Sequence, residues 1–116
     1  MTQPAKNGPV QGVRWIGTAA VVDAAGDIDL SRSVEFQQQL LALLDEKPQR
    51  IVVNLTQVPY MDSSGVASLV KVLSRARKAG SSLCLVGLTD RVRSLFEITR
   101  LDGVFAIKTS EQEALA

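Results

Sequence analysis

The hydrophobic positions change period several times along the chain, and each change marks an element. Thr18-Ala19-Ala20-Val21-Val22 and Ile51-Val52-Val53-Asn54-Leu55 are apolar, β-branched runs, which predicts buried strands. Leu83-Cys84-Leu85-Val86, entered from Ser82 and closed by Gly87, is apolar throughout, the pattern of a central strand covered on both faces. Between these runs the period lengthens to three and four. Leu30 to Leu44 reads as a helix in which Val34, Leu41 and Leu44 form one edge of the buried side, widened by Phe36, Leu40 and Leu43. Val66, Leu69, Val70, Leu73 and Ala76 give a second helix, about Ser64 to Lys78. Val92, Leu95, Phe96 and Thr99 make the inward stripe of a third, Asp90 to Arg100. Val104-Phe105-Ala106-Ile107 predicts a short last strand. Ser110 to Glu113 has the spacing of a capping box at the head of a terminal helix.

The punctuation agrees. Met1 to Gly12 is polar and broken by Pro4, Gly8 and Pro9, which predicts a flexible arm over residues 1–12. Val13-Arg14-Trp15-Ile16 reads as a short edge strand, joined to the next strand by a hairpin through Gly17. Pro48 ends the first helix and Gly80 the second. Strands alternating with helices imply right-handed crossovers and a mainly parallel sheet. The expected fold is a small α/β domain over residues 13–116, with about four helices packed mostly on one side of a mainly parallel central sheet. The pattern leaves two layers against three open.

Composition narrows the chemistry. At 116 residues the chain can bury a core without disulfides or metal. It has no histidine, which removes the commonest general base and metal ligand. A formal charge of +1 and few aromatics argue against direct nucleic acid binding. No apolar run is long enough for membrane insertion, and Met1-Thr2-Gln3-Pro4-Ala5-Lys6 leads into no signal segment, so a cytoplasmic location is expected. Cys84, alone of its kind, reads as a small buried hydrophobe. Trp15 reads as a packing residue against the sheet.

One stretch stands out. Tyr60-Met61-Asp62-Ser63-Ser64-Gly65-Val66 joins a buried strand to a helix start. Asp62 or Ser63 can cap that helix, and Gly65 sits in its first turn, where a missing side chain permits close approach. A capped turn and a recognised serine both fit this pattern. No Gly-rich nucleotide loop is present, and a serine nucleophile lacks an activating histidine. Lys71 lies two turns from Ser63, and Asp62 lacks the partners of an aspartyl nucleophile. Catalytic residues, metal ligands and cofactors are therefore not expected. Asp23, Asp27 and Asp29 lack the spacing of a calcium loop and read as turn acids, with Asp29 or Ser31 capping the first helix. Lys71, Arg75, Arg77 and Lys78 fit a solvated, dipole-matched face or a partner-binding one.

Asp62-Ser63-Ser64-Gly65-Val66, placed between strand and helix, resembles the signature of the STAS domain, most nearly the bacterial anti-sigma factor antagonist type. Gly26-Asp27-Ile28-Asp29, the Leu83 to Gly87 strand with Val92, Leu95 and Phe96, and Leu101-Asp102-Gly103-Val104-Phe105 resemble other parts of the family pattern, over about residues 18–116. The resemblance implies a non-catalytic protein-binding switch. Its partner would be an anti-sigma factor that is also a serine protein kinase, phosphorylating Ser63, with Ser64 the second candidate. A phosphatase acting on phosphoserine would reverse the modification. The implied partner-binding residues are Asp27, Asp29, Tyr60, Met61, Asp62, Ser64, Gly65, Val66, Ser68 and Leu69. The alternative is a STAS subunit of another assembly, a lipid-transport ATPase complex or a stress-signalling complex, with a small enzyme or ligand sensor last. The edge strand is free to form a weak homodimer or to be covered by the arm.

Overall fold

The apolar runs become strands whose order across the sheet is their order along the chain. The computed structural model describes residues 8–116. The elements are β1 (Val10–Ile16), β2 (Ala19–Ala25), α1 (Leu30–Leu44), β3 (Arg50–Gln57), α2 (Ser63–Lys78), β4 (Ser82–Val86), α3 (Asp90–Ile98), a 3-10 turn (Leu101–Gly103), β5 (Ala106–Lys108) and α4 (Glu111–Leu115). They build one five-stranded sheet, β1-β2-β3-β4-β5. β1 runs antiparallel to β2, and the remaining pairs are parallel.

Sequential strand order puts all three crossover helices on one face, because every right-handed connection steps in the same direction. Alternation along the strands then divides the core. Val22, Ile51, Val53, Leu55, Leu83 and Leu85 pack under Phe36 and Leu40 of α1, Leu69 and Val72 of α2, and Val92 and Phe96 of α3. The intervening Val21, Val52, Cys84 and Val86 face the other way, against Ala114 and Leu115 of α4. α4 follows the last strand and makes no crossover, so it is free to cover that second face. The sheet is thus covered on both sides, with three helices on one and one on the other. Cys84 is buried there, and burial pushes its thiol pKa up. Among the described residues no helix is long and apolar enough to cross a membrane.

The structure departs from the sequence expectation in several places. β1 begins at Val10, so residues 10–12 of the expected arm belong to the sheet. Val10 is buried, and the backbone N–H of Ala25 donates to the carbonyl of Pro9 at 2.9 Å. The rest of that expectation, over residues 1–7, lies outside the described residues. Val34 is 60% exposed rather than inward, because the buried stripe of α1 is Ser33, Phe36, Leu40 and Leu43. α3 stops at Ile98, and Thr99 caps its C-terminus on the surface. Arg100 then takes a left-handed turn at φ 61°, and β5 starts only at Ala106. Phe105, expected in the strand, instead packs edge-on against Phe96, with centroids 5.4 Å apart.

Candidate functional site

Two helices start side by side at one end of the sheet, and both starts use the same local chemistry. Asp29 caps α1 and Asp62 caps α2, each with an extended backbone. Each carboxylate accepts from the backbone N–H and the hydroxyl two residues on, Ser31 in one case and Ser64 in the other. Asp-Leu-Ser at 29–31 and Asp-Ser-Ser at 62–64 are therefore matched caps. A parallel bridge between Ile28 and Met61 locks them together. Ile28 N–H donates to Tyr60 at 3.0 Å, and Asp62 N–H donates to Ile28 at 3.2 Å. The Leu30 N–H also favours the Asp62 carboxylate from across the gap.

The caps hold both carboxylates ionised. Asp62 lies below the ordinary aspartate range, chiefly because the Ser64 hydroxyl donates to it, with backbone N–H groups adding. Asp29 is lowered for the same reason through Ser31, while the nearby charge of Asp62 works against it.

The matched caps separate the two candidate serines. Ser64 is half-buried, and its hydroxyl is committed to Asp62. Ser63 occupies the middle position of its cap, faces solvent, and has no side-chain hydrogen bond among the described residues. Its counterpart in the α1 cap is Leu30, 74% exposed. Val34 is exposed one turn further along α1, and Ala67 and Val70 are exposed along α2. Leu41, further along the same flank of α1, shares a cleft with Arg75 and Lys78 of α2, so this flank borders α2. Ser63 thus sits at the end of an exposed apolar strip.

The expected partner-binding residues divide. Asp27 is exposed, and Asp29, Tyr60, Asp62 and Ser64 are half-buried around Ser63. Met61, Gly65, Val66, Ser68 and Leu69 are buried and support the site from beneath. They turn inward because α2 packs on the sheet through that side of its first two turns. Gly65 does permit close approach, but by the chain itself. A Cβ there would lie 2.5 Å from Met61 Cγ and 3.0 Å from the Ile28 carbonyl oxygen. Ser68 closes the helix pair, its hydroxyl 3.0 Å from the carbonyls of both Ser33 and Ser64.

Pattern did not single out Leu30 or Arg91, and it put Val34 and Val70 among the inward positions of their helices, whereas both are exposed. Arg91, at the start of α3, places its guanidinium 5.3 Å from the Tyr60 ring centroid and flanks the site from the third helix. The available signal was the repeated Asp-x-Ser spacing at 29–31 and 62–64. Asp23 lies elsewhere, on β2, where Arg14 bridges it to Glu111 of α4 at 2.8 and 3.0 Å. The Arg14 guanidinium lowers the Glu111 pKa, and the Asn54 amide, which donates to the same carboxylate, adds to it. Among the described residues no group of three His, Cys, Asp or Glu side chains could hold a metal ion.

Comparison with known proteins agrees with this fold. Residues 12–114 match the family model described as the STAS domain. The chain is 36% identical over 89 residues to the anti-sigma-B factor antagonist of Listeria monocytogenes, covering 77% of this chain and 78% of that protein. An anti-sigma factor antagonist from Mycobacterium paratuberculosis superposes with a TM-score of 0.84 at 21% identity, over 98% of this chain and 96% of that one. The phosphorylated form of the Bacillus cell fate determinant SpoIIAA superposes with a TM-score of 0.68 at 17% identity, over 90% and 95% of the two chains.

Proposed function

The chain belongs to the STAS domain family, and from that premise we propose that it is an anti-sigma factor antagonist switched off by phosphorylation of Ser63. The observation that carries the reading is the division of labour between the two hydroxyls. Ser64 is tied to Asp62, whereas Ser63 is exposed beside an apolar strip, with no side-chain hydrogen bond among the described residues. A kinase can reach Ser63 without opening the fold, while modification of Ser64 would break the cap.

The physical effect follows from position. A phosphoserine brings a charge of about −1.5 to −2. At a helix N-terminus the fold tolerates it, because free N–H groups and the helix dipole favour an anion. The partner does not tolerate it. The new charge would join Asp62, Asp29 and Asp27 next to Leu30, so docking an apolar surface there would desolvate a dense cluster of negative charge. The switch acts at the contact surface and needs no change of fold.

The proposed partner is an anti-sigma factor that is also a serine kinase, with a phosphatase returning the binding form. The test is incubation with candidate anti-sigma kinases and ATP, followed by mass spectrometry and a binding measurement. Phosphate should appear on Ser63. Ser63→Asp should weaken binding, and Ser63→Ala should bind without being released by ATP. Equal binding by wild type and both variants, with and without ATP, would sink the proposal.

A further inference from the structure

Among the described residues nothing covers the edge of the sheet farthest from β5, and its only irregularity is a register shift between Val10 and Gly12, before the stretch Val13–Ile16. β1 is seven residues long, carries no proline or lysine, and exposes Val13 (39%), Trp15 (44%) and Ile16 (48%). Edges of this kind are usually blunted by charge, bulge or cover, because they template pairing with another strand. The hairpin sets which backbone groups are free. Ile16 pairs with Ala19 across the two residues Gly17 and Thr18, and only Gly17 has positive φ (62°), the sign pattern of a type II′ turn. The closing pair of such a turn exchanges hydrogen bonds, so Arg14 and Gly12 do the same with β2. Val13 and Trp15 therefore direct their N–H and C=O groups outward.

Beside this edge lies a cleft of about 250 Å³ between β1 and α1, lined by Val10, Val13, Val22, Leu40 and Leu43. Gln39 also lines it, and its amide oxygen is buried with no hydrogen-bond partner among the described residues. A buried acceptor left unpaired costs about 1–3 kcal/mol, so the cleft fits an occupant that is apolar and carries one donor. Trp15, the only tryptophan in the chain, has that chemistry in its indole and its N–H.

We propose that two copies of this chain pair β1 against β1 in antiparallel fashion about a two-fold axis at Arg14, each inserting Trp15 over the other's β1–α1 cleft toward Gln39. This register aligns the outward groups of Val13 with those of Trp15 in the second copy, giving four backbone hydrogen bonds. It also places each indole beside the other copy's Val13, an aromatic–β-branched cross-strand pair at about 5 Å. Val13 lines the cleft and Trp15, two residues on, shares its face of the strand, so the indole arrives at the cleft mouth. The two Arg14 side chains meet on the opposite face, where each is already balanced by Asp23 and Glu111. Glu46, also lining the cleft, stays at its solvent side. The site lies at the far end of α1 from Leu30 and Ser63, so dimer formation leaves the proposed switch face open.

The test measures molecular mass and tryptophan emission across a dilution series of the full chain. The expected result is a monomer–dimer equilibrium with emission shifting to shorter wavelength as the dimer forms. Trp15→Ala and Val13→Lys, both at exposed positions, should weaken the dimer at least about tenfold while retaining the native circular dichroism. Gln39→Leu should weaken it about fivefold. Ile98→Ala, on a distant exposed residue, should have no effect. A chain that stays monomeric at every concentration overturns the proposal, as does a dimer insensitive to both Trp15 and Val13. Emission already at short wavelength and independent of concentration would mean that the chain covers its own edge, and overturns it equally.

Discussion

Gly65→Ala is the sharpest test of how the two helix starts are held. Gly65 has ordinary helical backbone, so an alanine there would normally stabilise the helix by roughly 0.5–1 kcal/mol. The tertiary neighbours reverse the sign. The added methyl would meet Met61 Cγ at 2.5 Å, and both Ile28 Cγ2 and the Ile28 carbonyl oxygen at 3.0 Å. Met61 is a flexible side chain and can move, although it is buried. The Ile28 carbonyl cannot, because it accepts the Asp62 N–H and belongs to the bridge between the caps. Overpacking costs about 1–3 kcal/mol, and a contact at 2.5 Å with two more at 3.0 Å puts this case in the upper part, about 2–3 kcal/mol, which after a helix gain of about 1 kcal/mol leaves a net loss of about 1–2 kcal/mol. For a domain of this size that is a fall in Tm of about 4–8 °C. Urea unfolding and calorimetry would measure it. Met61→Ala in the same chain should recover part of the loss, with a coupling energy above about 0.5 kcal/mol. A Gly65→Ala variant as stable as wild type, or more so, would refute the claim that Gly65 is required by the contact between helix starts.

Two further predictions concern the face and its caps. Leu30→Asp should weaken binding of the partner at least about tenfold, mimicking the modified state without touching Ser63, while shifting stability by no more than about 0.5 kcal/mol because Leu30 is exposed; unchanged affinity in a titration would remove the apolar strip from the binding face. Asp62→Ala should cost about 1 kcal/mol at neutral pH through the lost cap. The folded pKa of Asp62 is lowered, so its stabilisation is complete above the unfolded aspartate value of about 3.9 and fades as pH falls through the folded one. The gap between wild type and variant should therefore close in acid, and a gap constant down to pH 2 in denaturant titrations would contradict the role given to the ionised cap.

Much of this was legible in the chain, for a local reason. The bounds of α1 and β4 and the caps at Asp29 and Ser110 depend on side-chain period and on residues two or three positions away. The terminal cap is simpler than the box its spacing suggested. Ser110 accepts from the Glu113 N–H, while the Glu113 carboxylate takes the Thr109 hydroxyl. Val34 shows the limit of the method. It has a helical period with Leu41 and Leu44, yet the side of α1 that is buried is set by the sheet and by α2, and Val34 falls outside it.

The sequence by itself determined an alternating α/β chain, a mainly parallel sheet, and a capped serine turn between a buried strand and a helix. These follow from period and turn chemistry, which act within one element. Only the tertiary structure decided that the Asp29 and Asp62 caps stand together, that Leu30 and Ser63 share a face, and that Ser64 is spoken for. It also decided that Gly65 makes room for Met61 and Ile28 rather than for a partner. Those facts rest on backbone hydrogen bonds and packing between segments far apart in the chain, joined by the Ile28–Met61 bridge. No local pattern specifies such a meeting, because it exists only once the strands between have paired.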